Sequence, residues 1–431
     1  DAPLLASYTQ VFMKALGGFV IAFFPLFLLG ALFGKLMQAS GAARVLALAI
    51  VARLGAQRAV FAVVLACALL TYGGVSLFVV AFAVYPIAVE LFRAANLPKR
   101  LIPATIALGA FTFTMTALPG TPAIQNAIPM PYFGTTPFAA PGLGLLAGLL
   151  MLVLGQAWLS HRTRRAAARG EPYGEDGPAP PADTGVAAPH GSGAGVPPLH
   201  FGSALAPIVT VVALNYLMAE VVLPRVDAGY LAQTIYGAVR MDAVRGVWAI
   251  IVALTAAVLL LIALAWRQLP ALGDTLDAGA ASAVSPIFNT ASQVGYGAVI
   301  ASLAGFALIR DAVLGIAPGN PLVSLSISVN VLAGITGSAS GGMSIALQTL
   351  GSTYLAMAQA AGIAPDLLHR VTAIATGGLD ALPHNGAVIT LLSICGLTHR
   401  QSYLDIFVVA VAVPVAVLVV VVWLGTVYGS F

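Results

Sequence analysis

The sequence predicts an all-α polytopic membrane protein made of two inverted repeats, each with a re-entrant hairpin and a broken helix, and three observations carry that reading. First, 60% of the 431 residues are hydrophobic and 8% charged, with a mean hydropathy of +0.98, so a soluble fold would have nothing to cover its surface. Second, no Asp, Glu, Lys or Arg occurs from Leu101 through Ser160 or from Ala312 through Pro365. Each run suffices for a hairpin or two crossings at about 20 residues per spanning helix. Third, landmarks recur in the same order: Pro25-Leu26-Phe27 and Pro286-Ile287-Phe288 at an offset of 261, Gly73-Gly74-Val75-Ser76 and Gly341-Gly342-Met343-Ser344 at 268, Ala117-Leu118-Pro119 and Ala381-Leu382-Pro383 at 264. Three matches at nearly constant offset indicate an internal duplication.

In chain order, Phe12 to Met37 is a long apolar segment interrupted at Pro25, with Lys14 and Lys35 towards its ends, where lysines snorkel to the interface. Arg44, Arg53 and Arg58 mark a basic interfacial stretch. Ala59 to Phe92 follows, broken by T-Y-G-G-V-S at Thr71 to Ser76, which predicts a hairpin whose tip exposes backbone N–H groups. Leu101 to Met130 carries A-L-P-G-T-P-A-I-Q-N from Ala117 to Asn126, where two prolines three residues apart cannot continue a regular helix. Pro137 to Leu159 completes the first half.

Residues 160–200 hold four arginines and a Gly, Pro, Ala and acid mixture, predicting a disordered cytoplasmic linker between a first repeat at 1–159 and a second at 201–431. The second half supplies Phe201 to Leu223, Gly246 to Trp266, Ala278 to Leu308, a hairpin from Pro321 to Ala360 centred on T-G-S-A-S-G-G-M-S, a segment from Val371 to Cys395, and Ile406 to Tyr428. Because the second copy has two apolar segments before Pro286, about 60 residues with two helices are expected to be missing ahead of the first copy.

The segment A-T-G-G-L-D-A-L-P-H-N, Ala375 to Asn385, places an acid, a proline, a histidine and an asparagine at membrane depth. An ionisable residue there costs about 2.5–3.5 kcal/mol and ordinarily faces a polar pathway. Irregular backbone at that depth is tolerated where it lines a cavity. With the linker inside, tracing crossings puts thirteen Lys and Arg on the cytoplasmic side and six, Lys14, Arg225, Arg240, Arg245, Arg310 and Arg370, outside. In that tracing the two hairpins enter from opposite sides.

T-Y-G-G-V-S-L-F-V with P-K-R-L-I-P, A-L-P-G-T-P-A-I-Q-N-A-I-P with F-G-T-T-P, G-I-T-G-S-A-S-G-G-M-S-I-A-L and L-P-H-N-G-A-V together resemble the gluconate:proton symporter (GntP) family of bacterial permeases, over nearly the whole chain apart from the linker. The resemblance implies an inner-membrane sugar-acid permease of the ion-transporter superfamily, whose members are dimers with a fixed scaffold and a mobile domain carrying two opposed hairpins. The chain departs from the family in lacking the first helices.

A sugar acid offers one carboxylate and several hydroxyls, so its site needs anion-stabilising donors and amide or hydroxyl partners. The hairpin tips offer Thr71, Gly73, Gly74, Ser76, Ser338, Ser340, Gly341, Gly342 and Ser344; the broken segments add Thr121, Gln125, Asn126 and Asn385. Glycines and serines also merely let membrane helices pack closely, a reading that competes at each position. Asp380 and His384, four apart, are expected to share a proton if the turn between them stays helical. Asn289, Gln293 and Asn330 are weaker candidates.

No H-E-x-x-H or paired C-x-x-C occurs and only His384 of six histidines lies in an apolar segment, so metal hydrolysis has little support and no metal or other cofactor is expected. The function expected is not enzymatic but secondary transport of a small carboxylate, coupled to protons, in a homodimer spanning the lipid bilayer, with no nucleic-acid partner. Sodium coupling and a passive anion channel are the alternatives.

Overall fold

The computed structural model describes residues 3–174, 197–317 and 319–431, with no account of the Ile309 side chain. Among these residues there are helices and no strands. Six helices are long and apolar enough to cross a membrane, and two further helix pairs are sharply bent, Ala42–Leu54 against Ala56–Tyr72 by 104° and Leu272–Ser302 against Phe306–Leu314 by 98°. Residues 175–196 of the expected linker lie outside the described residues.

The duplication is visible element by element. Helices begin at Ala42 and Phe306, and the first arms of the hairpins end at Tyr72 and Thr336, each pair 264 positions apart. The hairpins are Ala59–Tyr72 with Leu77–Ala94, and Pro321–Thr336 with Ala339–Ala360. The first broken helix runs from Ile102–Ala110 through Phe113–Thr116 and Ile124–Ala127 to Pro129–Phe133; the second is Pro365–Ala375, a short turn at Leu379–Ala381, and Gly386–Cys395. The long helices Met13–Ala39 and Leu272–Ser302 form the most extensive helix pair in the molecule. Neither breaks at its proline: Pro25 and Pro286 are accommodated within continuous helix, as membrane helices tolerate when neighbours take up the freed groups.

The register corrects one landmark. The Gly-Gly dipeptides at an offset of 268 are not equivalent, because the second turn is formed by Gly337, which takes a left-handed backbone at φ +60°, with Ser338 as helix cap. Gly341 and Gly342 sit inside the next helix.

The inverted arrangement follows from side-chain contacts. Helix Pro141–Ala168 starts where Gly142 N–H donates to the Phe431 carbonyl at 2.8 Å and ends where Arg162 donates to Asp405 at 2.7 Å. At the Arg162 end, Lys99 N–H donates to the Tyr173 carbonyl and Arg93 lies over the Tyr173 ring, beside the open end of the first hairpin. At the Phe431 end, Asn320, which caps the second hairpin's first arm, donates to Thr426 at 2.7 Å. The hairpins therefore open towards opposite ends.

Helix Pro141–Ala168 continues past the expected boundary at residue 159. Asp405, 1% exposed, anchors that extension: it accepts from Arg162 Nε at 2.7 Å, Arg100 Nη1 at 3.1 Å and Trp158 Nε1 at 3.1 Å. Arg100 also forks onto Glu171 at 2.7 and 2.8 Å. A bidentate guanidinium–carboxylate pair fixes geometry as well as charge, and this cluster ties both repeats together at one end.

Candidate functional site

The two broken helices meet: a Cβ on Gly377 would lie 3.0 Å from Thr116 Cγ2, so the breaks touch through these two residues. Breaking a helix at membrane depth frees backbone groups that water cannot satisfy, so side chains must. In the first break, Asn126 Nδ2 donates to the Thr121 and Pro137 carbonyls at 3.0 and 2.9 Å, Tyr72 O–H to the Pro119 carbonyl at 2.8 Å, and Asn215 to the Gly120 carbonyl at 3.1 Å. The Thr121 hydroxyl accepts from Ala123 N–H at 3.3 Å.

The dominant group in that break comes from the other repeat. Arg370, 0% exposed, donates to the Ala139 carbonyl at 2.7 and 3.0 Å, the Ala117 carbonyl at 3.1 Å, the Pro137 carbonyl at 3.3 Å and Asn126 Oδ1 at 3.2 Å. Beside it His369 bridges Thr135 Oγ1 at 2.6 Å and Asn126 Oδ1 at 3.1 Å. Arg370, counted at the outer face from the sequence, is therefore a core residue. No carboxylate lies within ion-pair distance of it among the described residues. Its charge is distributed over carbonyl dipoles, which the planar five-donor fork suits.

The second break is held by neutral groups. Asn385, the cap of Gly386–Cys395, accepts from Ala387 and Val388 N–H at 2.6 and 3.1 Å and donates to the Gly337 carbonyl at 2.7 Å. Asn330 Oδ1 accepts from Leu379 N–H at 3.0 Å, and Tyr403 O–H donates to the Ala381 carbonyl at 3.1 Å. Thr121 and Asn385, 264 positions apart, each accept from the N–H two residues ahead, but only Asn385 caps a helix.

The expected Asp380–His384 pair is not formed. Pro383 and the Gly377-Gly378 turn unwind residues 376–385, so a spacing of four no longer stacks two side chains on one face. His384 Nε2 instead lies 2.9 Å from the Gly334 carbonyl in the second hairpin, and no ion pair joins it to Asp380.

Each hairpin tip docks on the break of its own half. A Cβ on Gly74, which has φ +94°, would lie 2.9 Å from Pro122, and one on Gly337 would lie 3.0 Å from His384. The first tip's glycine N–H groups are already spent: Gly73 donates to the Leu69 carbonyl at 3.1 Å and Gly74 to the Thr71 carbonyl at 3.0 Å. In the second, Ser338 Oγ accepts from Gly341 N–H at 3.1 Å and Gly342 N–H donates to the Ser338 carbonyl at 3.0 Å. The four glycine amides expected from sequence to be free are thus taken up by hydrogen bonds within the hairpins. Ser76 is exposed beside Gly34, and Ser340 Oγ lies 3.1 Å from Thr290 Oγ1.

Gly342 has a packing role, since a Cβ there would overlap the backbone of Ala333 on the opposite arm. Gly342→Ala is expected to wedge the arms apart and cost about 1–3 kcal/mol. Unchanged unfolding in detergent would refute this, and Gly17→Ala, with open space around it, is the control.

Several buried side-chain atoms around the tips and breaks have no protein partner: Thr71 Oγ1, Gln125 Oε1, Gln293 Oε1, Ser344 Oγ and Thr372 Oγ1. Buried polar atoms are rarely left so, and each calls for an explanation, a bound polar ligand being one. Gln293, beside Gly341, adds an amide that the sequence ranked low.

No family model matches the chain. It is 43% identical over 428 residues, 97% of this chain and 89% of the relative, to the uncharacterized transporter YxjC of Bacillus subtilis strain 168. Its fold is similar to that of the Alcanivorax borkumensis YdaH transporter, described as having an unusual topology, with a TM-score of 0.51 at 16% identity over 99% of this chain and 90% of that one. With its apolar spans, broken helices and paired hairpins, the chain is a multi-pass membrane protein that belongs to the transporter family containing Bacillus subtilis YxjC.

Proposed function

We propose that the protein is a secondary active transporter of the bacterial inner membrane that imports gluconate or a related small hydroxy-carboxylate by proton symport with alternating access, acting as a homodimer. The observation that carries this reading is that, among the described residues, buried hydroxyl and amide atoms on both hairpins, both broken helices and the second long helix have no protein partner. Hydroxyls and amides of this kind match a polyhydroxylated anion, while the inverted hairpins supply two gates. Thr71, Thr121, Gln125 and Asn126 would serve from the first repeat, and Ser338, Ser340, Ser344 and Asn385 from the second. Gly73, Gly74, Gly341 and Gly342 set the tips' close approach.

Asp380 and His384 would act separately, not as a shared pair. His384 is exposed at the second tip and bonded to the hairpin, so its protonation would alter the contact between tip and break. Proteoliposomes under an imposed pH gradient without sodium are expected to accumulate radiolabelled gluconate. Accumulation should collapse with a protonophore and be lost in His384→Ala and Asp380→Asn. Accumulation only with sodium would replace the coupling ion, downhill equilibration alone would indicate a channel, and uptake of another carboxylate would move the substrate.

A further inference from the structure

Away from the tips, a cavity of about 510 Å³ lies between the first long helix, its N-terminal extension, the second long helix, the Pro129–Phe133 turn and the second arm of the second hairpin. Gln10, Lys14, Gly18 and Ala22 recur every four residues along the first long helix and its extension and line the cavity, as do Tyr132 and Gln348, joined by a 3.1 Å hydrogen bond. The buried Phe19 and Phe23 also line it. The volume is that of a small-molecule site, and its lining, largely apolar with a few convergent polar groups, is of the usual kind. Lys14 supplies the cation, and among the described residues no carboxylate is within ion-pair distance of it. Gln348 lies on the arm running from the second tip towards that hairpin's open end, so the cavity is placed between that end and the tip.

We propose that this cavity is an accessory anion site, a vestibule that captures a small carboxylate on Lys14, with the Gln10 and Gln348 amides and the Tyr132 hydroxyl as hydroxyl partners, before it reaches the second tip. The proposal rests on the carboxylate reading above and deepens it. A lone lysine in a half-open apolar cavity concentrates anions and raises their capture rate more than it tightens final binding. The ammonium is a compact point charge, so the site selects the charge of the ligand, and the amides select its hydroxyls.

The test uses the full chain with Gly18→Cys as a reporter, because a Cβ at Gly18 meets nothing within 4 Å and the native Cys67 and Cys395 are buried. In nanodiscs of neutral phosphatidylcholine, the reporter is expected to react at least about tenfold faster with anionic sulfonatoethyl methanethiosulfonate than with its cationic trimethylammonium counterpart. Lys14→Gln should abolish the preference and Lys14→Arg retain it. Millimolar gluconate should slow labelling only where the cation is present. In uptake, Lys14→Gln should raise KM with little change in maximal rate. A labelling preference indifferent to residue 14, or an unreactive reporter, would overturn the vestibule. So would protection by anionic phosphatidylglycerol nanodiscs and not by any soluble carboxylate, which would make it a lipid-headgroup contact. Charge-selective labelling protected by a different carboxylate, with no gluconate uptake, would uphold the vestibule and dismiss gluconate alone.

Discussion

Replacing Arg370 with methionine is expected to abolish uptake and to destabilise the protein by several kcal/mol. Among the described residues the Ala117 and Ala139 carbonyls have no other hydrogen-bond donor, so both would be left buried and unpaired. Each such group costs about 1–3 kcal/mol. Methionine fills much of the volume, so the loss comes from the donors and not from a void. Arg370→Lys keeps the charge but has three donors on one nitrogen, and cannot reach the Ala117, Pro137 and Ala139 carbonyls together with Asn126. It should recover only part of the stability and little of the transport. Denaturant or thermal unfolding in detergent alongside initial uptake rates checks both; wild-type behaviour of the methionine variant would show that the first break does not need the cross-repeat cation.

Asp405→Ala is expected to be damaging by a different route, because it leaves the largely buried Arg162 guanidinium without a carboxylate, while Arg100 keeps Glu171. Removing one partner of a buried charge cluster costs about 3–5 kcal/mol. Adding Arg162→Met should soften the loss, giving a coupling energy well above the error of the cycle; simple additivity would mean that Arg162 finds another acceptor. The same cluster predicts acid sensitivity. The Arg100 hydrogen bond holds the Glu171 carboxyl below the usual carboxylate range, the nearby arginine charges adding to it and partial burial opposing it. A depressed folded value means that the stabilisation is complete above the unfolded value and is lost as pH falls through the folded one. Unfolding midpoints should thus fall below about pH 4, and Glu171→Gln should flatten that part of the profile.

The repeat, its breaks and its hairpins were legible because proline and glycine disrupt helices locally and apolar runs set segment lengths. The positions of Thr121, Asn126 and Asn385 in the breaks were legible for the same reason. What sequence missed was long-range. Arg370 read as an outer-face charge because the apolar run was begun at Val371; the signal lay in Pro365, which at a helix start places residues 369 and 370 a full turn inside. The Gly341-Gly342 pairing failed because identical dipeptides were matched, whereas the turn is set by whichever glycine takes the left-handed backbone, here Gly337. The Asp380–His384 pair failed because helical spacing was assumed across a segment that its own Gly-Gly and Pro unwind. Gln293 was undervalued since only the fold places it against Gly341.

The cross-repeat arginine also bears on symmetry. Two copies that arose by duplication and exchange roles in a cycle would, if identical, face equal barriers in the two half-cycles. Here one break is pinned by a cation borrowed from the opposite copy, while the other is closed by amide and hydroxyl caps. The degeneracy is lifted: under the alternating-access proposal the capped break is expected to be the softer element and the two half-cycles to run at unequal rates, while the direction of net movement stays set by the gradients alone.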